Sequence, residues 1–393
     1  MMGLPHLLSR AGMMVDVITT ARTMRFSRFV RNIHLAESTD EMMRLVHQHT
    51  RARTRQYDWI IPTDDETLKA VRDSKWHASQ RPGFLPVPIE GQPSHIFSKI
   101  GLSGVLSKAG IQTPSFRVVS SREAAVAAAN ELGYPVMLKV DESYGGMGTR
   151  ECRNDTEVIR AVNLLEARPL LLQKKIKGAE ISADSIYVQH ELVHFAYSRV
   201  LRRAQSFGVS TLRRYYPLPL VDEKAFDEVR MLGHALGADG FVSISCIDAE
   251  DGSGRYYIEA DIRPNVWMDF SRYFGEDAAK RIREGVYSRT WLTKDCLHAP
   301  AKCEPVEIPY FLRLQWWELV LNRYRVWKYI SLADANVVVR TYAIVEFWSL
   351  YCFVCSFLPR GLKTAIKRPL AVVCPRLRPA RSTAPCTGDA RCP

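Results

Sequence analysis

The chain has 393 residues, 47% of them hydrophobic and 24% charged, with a formal net charge of +12. That balance supports a sizeable core and excludes an intrinsically disordered protein, and the length suggests two or three domains. The positive charge is uneven, with 15 Lys and Arg against 7 Asp and Glu after residue 290, so no nucleic-acid partner is implied for the first three quarters.

Residues 5–20 read as a short helix, an Ala-Gly stop and a strand within "MMVDVITT". His6, Arg10 and Asp16 interrupt the opening before any apolar run reaches signal-peptide length. Only Cys152 and Cys246 precede residue 291, which predicts a reducing, cytoplasmic setting without a disulfide framework. "WIIPTDDETLKAV" (59–71) predicts an apolar strand ending at Pro62 and then an acidic helix start, where Asp64 or Asp65 serves as N-cap and not as a site residue. The alternation implies a small α/β unit with a partly parallel sheet, over residues 1–92 including its Pro/Gly-rich linker, "RPGFLPVPIEGQP" (81–93). This unit reads as incomplete, because the chain opens on a helix where a first strand is expected.

From residue 93 to about 290 helices and strands alternate regularly. "SSREAAVAAANELG" predicts a helix with a capping box, Ser120 with Glu123, ending at Gly133. In the strand "PVMLKV", Val136, Leu138 and Val140 share one face and Met137 with Lys139 the other. A lysine in so apolar a strand reads either as an edge-strand gatekeeper or as a ligand for an anion. The "DESYGGMG" that follows favours the anion, since Gly145, Gly146 and Gly148 let backbone N–H groups approach it closely. "PLLLQ", "EISADSIYV" and "LVHFAYSRV" read as strands, the last two as an antiparallel pair, and "DEKAFDEVRMLGHALG" as a helix closed by Gly237. "SRVLRRAQSFGVSTLRRYYP" (198–217) carries Arg199, Arg202, Arg203, Arg213 and Arg214, a solvated basic loop or the holder of an anionic group. "FVSISCID" and "RYYIEADIR" flank "AEDGSG", a hairpin signature. On the second of these strands Glu259, Asp261 and Arg263 share a face, opposite Ile258, Ala260 and Ile262. Two carboxylates at i and i+2 supply oxygen ligands for a hard dication, and an arginine two residues on can grip a phosphate oxygen.

After residue 290 the character changes. Residues 291–358 read as helical, with an aromatic basic helix at 310–330 and the most apolar window at 337–358; residues 359–393 read as a disordered basic tail. The helices fit a cap on the core or a homodimer contact, with peripheral attachment to an anionic membrane through 310–368 as the competing reading. The Cys-x-x-Cys of "CFVC" (352–355) reads as apolar burial.

Four segments, "SKIGLSGVLSKAGIQTP" (98–114), "GYPVMLKVDESYGGMG" (133–148), "LLLQKKIKGAE" (170–180) and "YYIEADIRP" (256–264), resemble the ATP-grasp superfamily in order and spacing. That superfamily includes carboxylate–amine ligases, biotin carboxylase and carbamoyl phosphate synthetase. The resemblance implies an α/β (α+β) chain with an ATP-grasp fold at 93–290, preceded by a truncated Rossmann-like α/β domain and followed by a helical C-terminal region. It further implies that Lys99 and Lys139 neutralise the α- and β-phosphates of ATP and that Gly145, Gly146 and Gly148 form the flap over them. Gln173, Lys174 and the backbone through Ile176 would receive the adenine and Glu180 the ribose hydroxyls. Glu259 and Asp261 would hold Mg²⁺, with Mn²⁺ as a substitute, and Arg263 and Lys139 would act at the transferred phosphoryl group. The implied function is an ATP-dependent ligase joining a small carboxylate, activated as an acyl phosphate, to an amine. Two departures stand out: Ser245 occupies a position where the family usually has a carboxylate or Gln, and Asp261 stands where Asn is usual. Asp248 lies on the opposite face and cannot replace Ser245. A nucleotide-binding protein that no longer catalyses, membrane-associated or not, and a biotin carboxylase-like enzyme are the alternatives; no Met-Lys-Met segment supports the latter.

Overall fold

The computed structural model describes residues 3–310 except 23, 25, 26, 28, 52–56, 74–93, 144 and 299–302. All of these belong to a compact unit, Met1–Asn336. The expectations for the basic aromatic helix, the apolar window, the Cys-x-x-Cys pair and the tail fall at 311–393, outside the described residues. Among the described residues no helix is long and apolar enough to cross a membrane.

The N-terminal part runs α1 (Leu4–Arg10), β1 (Asp16–Thr19), β2 (Asn32–Leu35), α2 (Thr39–Arg51) and α3 (Asp65–Asp73). β1 and β2 pair in parallel, with Asp16 opposite Asn32 and Thr19 opposite Leu35. The strand expected at Trp59–Ile61 does not form. Its apolar side chains pack against the body of the protein instead: the Trp59 ring meets Phe241 edge-on at 6.1 Å and its indole N–H donates to Asp239 at 3.3 Å. Tertiary packing has overridden the local preference.

A second group follows: α4 (Lys99–Lys108), β3 (Phe116–Val119), α5 (Arg122–Leu132), β4 (Val136–Val140), β5 (Thr149–Cys152), α6 (Asp155–Leu164) and β6 (Leu170–Lys174). The strands form an antiparallel sheet in the order β3-β6-β4-β5. β4 is therefore interior, which excludes the edge-gatekeeper reading of Lys139. Val136, Leu138, Leu170 and Leu172 pack against Ala125 and Ala129 of α5 and Val158 and Val162 of α6. Period-2 alternation leaves the opposite face to Lys139 and Gln173. Ser121, not Ser120, caps α5, accepting from the Ala124 N–H at 3.1 Å; the helix begins one residue later than the capping-box spacing predicts. Leu138 is fully buried, so Leu138→Ala is expected to cost about 2–5 kcal/mol of folding free energy, read as an earlier urea midpoint with unchanged slope.

The third group is β7 (Gly178–Val188), β8 (Glu191–Arg203), β9 (Ser210–Tyr216), α7 (Glu223–Leu236), β10 (Gly240–Ala249), β11 (Arg255–Asp261), α8 (Ala278–Ser288) and β12 (Val306–Pro309). Its six strands lie in the order β11-β10-β7-β8-β9-β12. α7 buries Phe226, Val229 and Leu232 against Phe195, Tyr187 and Val242, and it ends at Gly237 in the left-handed conformation (φ +57°). β12 lies within 291–358, where the sequence predicts helix; it is a strand because it pairs with β9, and its Ile308 closes a small cluster with Tyr215 and Trp267.

One local irregularity matters for the site. The β10–β11 register shifts between Ser245 and Cys246: Ser245 faces Glu259 but Cys246 faces Tyr257, so Ile258 is the extra residue of a β-bulge. The apolar face is then Tyr257, Ala260 and Ile262, all buried, and the half-buried Ile258 does not belong to it as strict alternation predicts. Glu259, Asp261 and Arg263 keep their common side.

Candidate functional site

Lys139 projects from the centre of the four-stranded sheet and is buried; its Nζ donates to Gln173 Oε1 at 2.7 Å. Gln173 in turn donates to Ser103 Oγ on α4 at 3.2 Å, and Ser103 donates to the Lys99 carbonyl at 2.9 Å. Burial pushes the Lys139 ammonium down to about 8, opposed by the negative charge of Glu259 and assisted by the positive charge of Lys99. Residues of both sheets and of α4 thus act electrostatically on one ammonium.

Lys99 opens α4, where no acidic residue occupies the first turn. Its Nζ donates to the carbonyls of Asp141 (3.1 Å) and Ser143 (2.5 Å) and to Ser143 Oγ (3.2 Å), so it is tied to the turn that enters the glycine loop. Asp141, which sequence reasoning did not single out, fixes this corner: its carboxylate accepts from Ser98 Oγ at 2.9 Å and from the Ile100 N–H at 2.8 Å. Gly145 and Gly146 have positive φ (61° and 75°). A Cβ on Gly146 would lie 2.1 Å from the Phe207 carbonyl oxygen, so the loop lies directly on the turn between β8 and β9 and tolerates only glycine there. Gly148 is similarly crowded by Ser143 and Val140.

Lys174 is turned away from this space. Its Nζ donates to the carbonyls of Gly133 (2.7 Å) and Tyr134 (3.2 Å). Ile176 is half-buried in the short link from β6 to β7. Glu180, near the start of β7, carries a guanidinium: Arg203 Nε donates to Oε2 at 3.0 Å and Nη2 donates to Oε1. Of the five arginines in 198–217, Arg203 is thus joined to a candidate residue. Arg213 is buried in an ion pair with Asp184 at 2.8 Å, Arg214 binds Glu307 at 2.6 Å, and Arg202 Nε donates to Thr211 at 3.3 Å.

On the six-stranded sheet Ser245 sits in register between Glu259 and Ser182. Burial and the neighbouring Glu259 carboxylate raise Asp261 to about 7, against the pull of Arg263, although 39% of its side chain meets the solvent of the cleft. Two carboxylates held this close without full compensation form an oxygen-donor pair that a hard cation would relieve. Among the described residues no three His, Cys, Asp or Glu side chains converge as a metal cluster. Arg263 is held by Asp65 of α3, through Nε to Oδ1 at 2.5 Å and Nη2 to Oδ2 at 3.2 Å, and reaches Asp261 at 3.5 Å. On sequence alone Asp64 and Asp65 are equal candidates for the helix cap. Asp64 performs that task, accepting from the Thr67 N–H at 2.8 Å and freeing Asp65 to face the cleft.

Residues 104–260 match the family model of the ATP-grasp domain. The carbamoyl phosphate synthase large chain of Agathobacter rectalis is 28% identical over 167 residues, covering 40% of this chain and 15% of that protein. Its counterpart in Streptomyces avermitilis is 26% identical over 200 residues, 47% of this chain and 18% of that one. The chain therefore spans less than a fifth of the length of these curated relatives. Among solved structures, N5-carboxyaminoimidazole synthetase from Staphylococcus aureus complexed with ADP superposes with a TM-score of 0.60 at 15% identity, covering 82% of this chain and 83% of that one. An L-amino acid ligase from Bacillus licheniformis gives 0.54 at 16% identity, covering 77% and 75%. At such identities the structural likeness concerns the fold.

Proposed function

We propose, from the premise that this chain is an ATP-grasp protein, that it binds ATP with Mg²⁺ and activates a small carboxylate for attack by an amine. The observation that carries the reading is the charge layout of the cleft: Lys99 and Lys139 on one wall, Glu259, Asp261 and Arg263 on the other, with Lys139 and Glu259 sensing each other. Lys139 is a desolvated cation whose protein partner is a neutral amide, so a polyphosphate would be its first full counter-charge. Lys99 would share the anion, and the glycine loop would cover it. In the reaction a carboxylate oxygen of the acid attacks the γ-phosphorus and ADP leaves; the amine nitrogen then attacks the acyl carbon, phosphate leaves and the nitrogen loses a proton. Glu259 and Asp261 fit a hard dication, Mg²⁺ or Mn²⁺, which when bound neutralises phosphate oxygens. Arg263 would stabilise the transferring phosphoryl group, and the protein's share of catalysis is positioning and charge neutralisation. The adenine would lie along the backbone from Gln173 to Ile176, with Lys174 contributing no side-chain charge, and Glu180 would take the ribose hydroxyls. The test is ADP release from MgATP in the presence of pools of small acids and amines; release that requires one acid and one amine supports the reading, and release indifferent to both contradicts it.

A second reading, nucleotide binding without turnover, is favoured by one observation: Ser245 faces Glu259 where a third metal-site oxygen donor would stand. Tight MgATP binding with no ADP release in any pool would select it.

The Lys139 environment gives the pH dependence its sign. A group held at about 8 in the free protein and returned to its ordinary range by a bound anion takes up a proton on binding. MgATP affinity should therefore fall above pH 8, and because Asp261, held at about 7, must lose its proton to serve a cation, it should also fall below pH 7; at pH 9 it should be about a fifth of its pH 7 value. Calorimetry in two buffers of different ionisation enthalpy measures the uptake directly; an affinity unchanged from pH 7 to 9 contradicts it.

A further inference from the structure

We infer that helix α3 is a strut that sets both walls of the cleft at once, and that Asp65 is the positioning residue for Arg263. The inference rests on the nucleotide-binding reading of the cleft. Asp65, Lys69 and Arg72 are spaced i, i+4, i+7 and so lie along one side of α3, while Leu68 and Val71 are buried. At the start of that side Asp65 grips Arg263 with both oxygens, at 2.5 and 3.2 Å. Along it, Lys69 and Arg72 close on Glu142 at 2.7 and 2.9 Å, and Arg72 also donates to the Ile96 carbonyl at 3.1 Å. Glu142 lies between Asp141 and Ser143, the two residues whose carbonyls hold Lys99. One helix thus touches Arg263 at the end of the six-stranded sheet and the turn that leaves the four-stranded sheet.

Partly exposed ion pairs of this kind add little to stability one at a time, so orientation is the effect to look for. Arg263 has a second carboxylate within reach, Asp261 at 3.5 Å. While Asp65 holds the guanidinium fork, the Asp261 oxygens stay open to a cation. Without Asp65 the guanidinium turns to Asp261 and competes with the metal for it. Lys69 and Arg72 act at the other end, through Glu142, on the turn that presents Lys99 and the glycine loop.

The test uses the full chain and needs neither the acid nor the amine: Mg²⁺ is titrated at fixed ATP and the Mg²⁺ midpoint of nucleotide binding is read by calorimetry or fluorescence. Asp65→Ala should raise that midpoint about tenfold, the scale of lost supporting contacts at metal sites. Asp65→Glu, which can still offer a two-oxygen grip, should restore most of it. Lys69→Ala combined with Arg72→Ala should instead weaken ATP at saturating Mg²⁺ and leave the midpoint within about twofold. A melting temperature measured for each variant separates misfolding from misplacement, since a folded Asp65→Ala with an unshifted midpoint overturns the strut. Equal shifts for both ends of the helix overturn it too. A wild-type protein that binds no MgATP would instead remove the reading of the cleft itself, and the strut with it.

Discussion

Lys139→Ala should weaken MgATP binding by at least about 100-fold and take any turnover with it. Removing one partner of a buried charge-assisted contact typically costs about 2–5 kcal/mol, which spans roughly 30- to several-thousand-fold. Here the contact to be lost is to a polyphosphate in a site from which water is already excluded around the ammonium, so the upper part of that range applies. In the free protein the same substitution removes a desolvated charge but strips Gln173 of the donor at 2.7 Å. These effects oppose each other, and the melting temperature should move by only a few degrees. A large loss of binding beside a small change in melting is the signature. Parallel losses of both would mean that Lys139 serves the core and not an anion.

Glu259→Gln should abolish the Mg²⁺ dependence of nucleotide binding and leave the melting temperature of the free protein little changed. In the free protein the Glu259 carboxylate repels Asp261, helping to push it up to about 7, and attracts Lys139 and Arg263, so neutralising it has opposed effects on stability. A neutral amide removes these together with one of the two anionic ligands. Mg²⁺ that binds through two carboxylates and its waters has no ready substitute among the neighbours, because the residue facing Glu259 is Ser245. The check is a pair of melting curves, with and without Mg²⁺, on the wild type and the variant. The wild type should gain stability from Mg²⁺ with nucleotide, and Glu259→Gln should melt within a few degrees of the wild type without it and be indifferent to it. A variant that still responds to Mg²⁺ would place the metal elsewhere.

Strands β4, β6, β7, β8, β10 and β11 and helices α5 and α7 were legible because their signals are local. Alternation in "PVMLKV" and "YYIEADIRP", Gly237 at a helix end and Asp-Gly in a hairpin each work within a few residues. The interior position of β4, the bulge at Ile258 and the pairing of β12 were not legible, since each depends on which strand lies alongside. The same limit governed the site. Lys139, Glu259 and Asp261 could be selected on their own strands and Lys99 through the resemblance of its segment, but the partner of Arg263 could not: Asp65 lies 198 positions away, and its neighbour Asp64 satisfies the same capping rule. Consecutive aspartates before a helix can both be used, one for the helix and one for something outside it. Arg203 was hidden differently, among five arginines of equal local appearance, and only the antiparallel pairing of β8 with β7, which brings the end of β8 beside Glu180, distinguishes it.

Calorimetric titration of MgATP into the full chain, with Lys139→Ala as the control, is the most direct measurement of the central claim. The account predicts a saturable, one-site binding isotherm for the wild type, dependent on Mg²⁺ and lost in the variant. Folded wild-type protein that gives no binding heat at any temperature tried, or a variant that binds as well as the wild type, would contradict it.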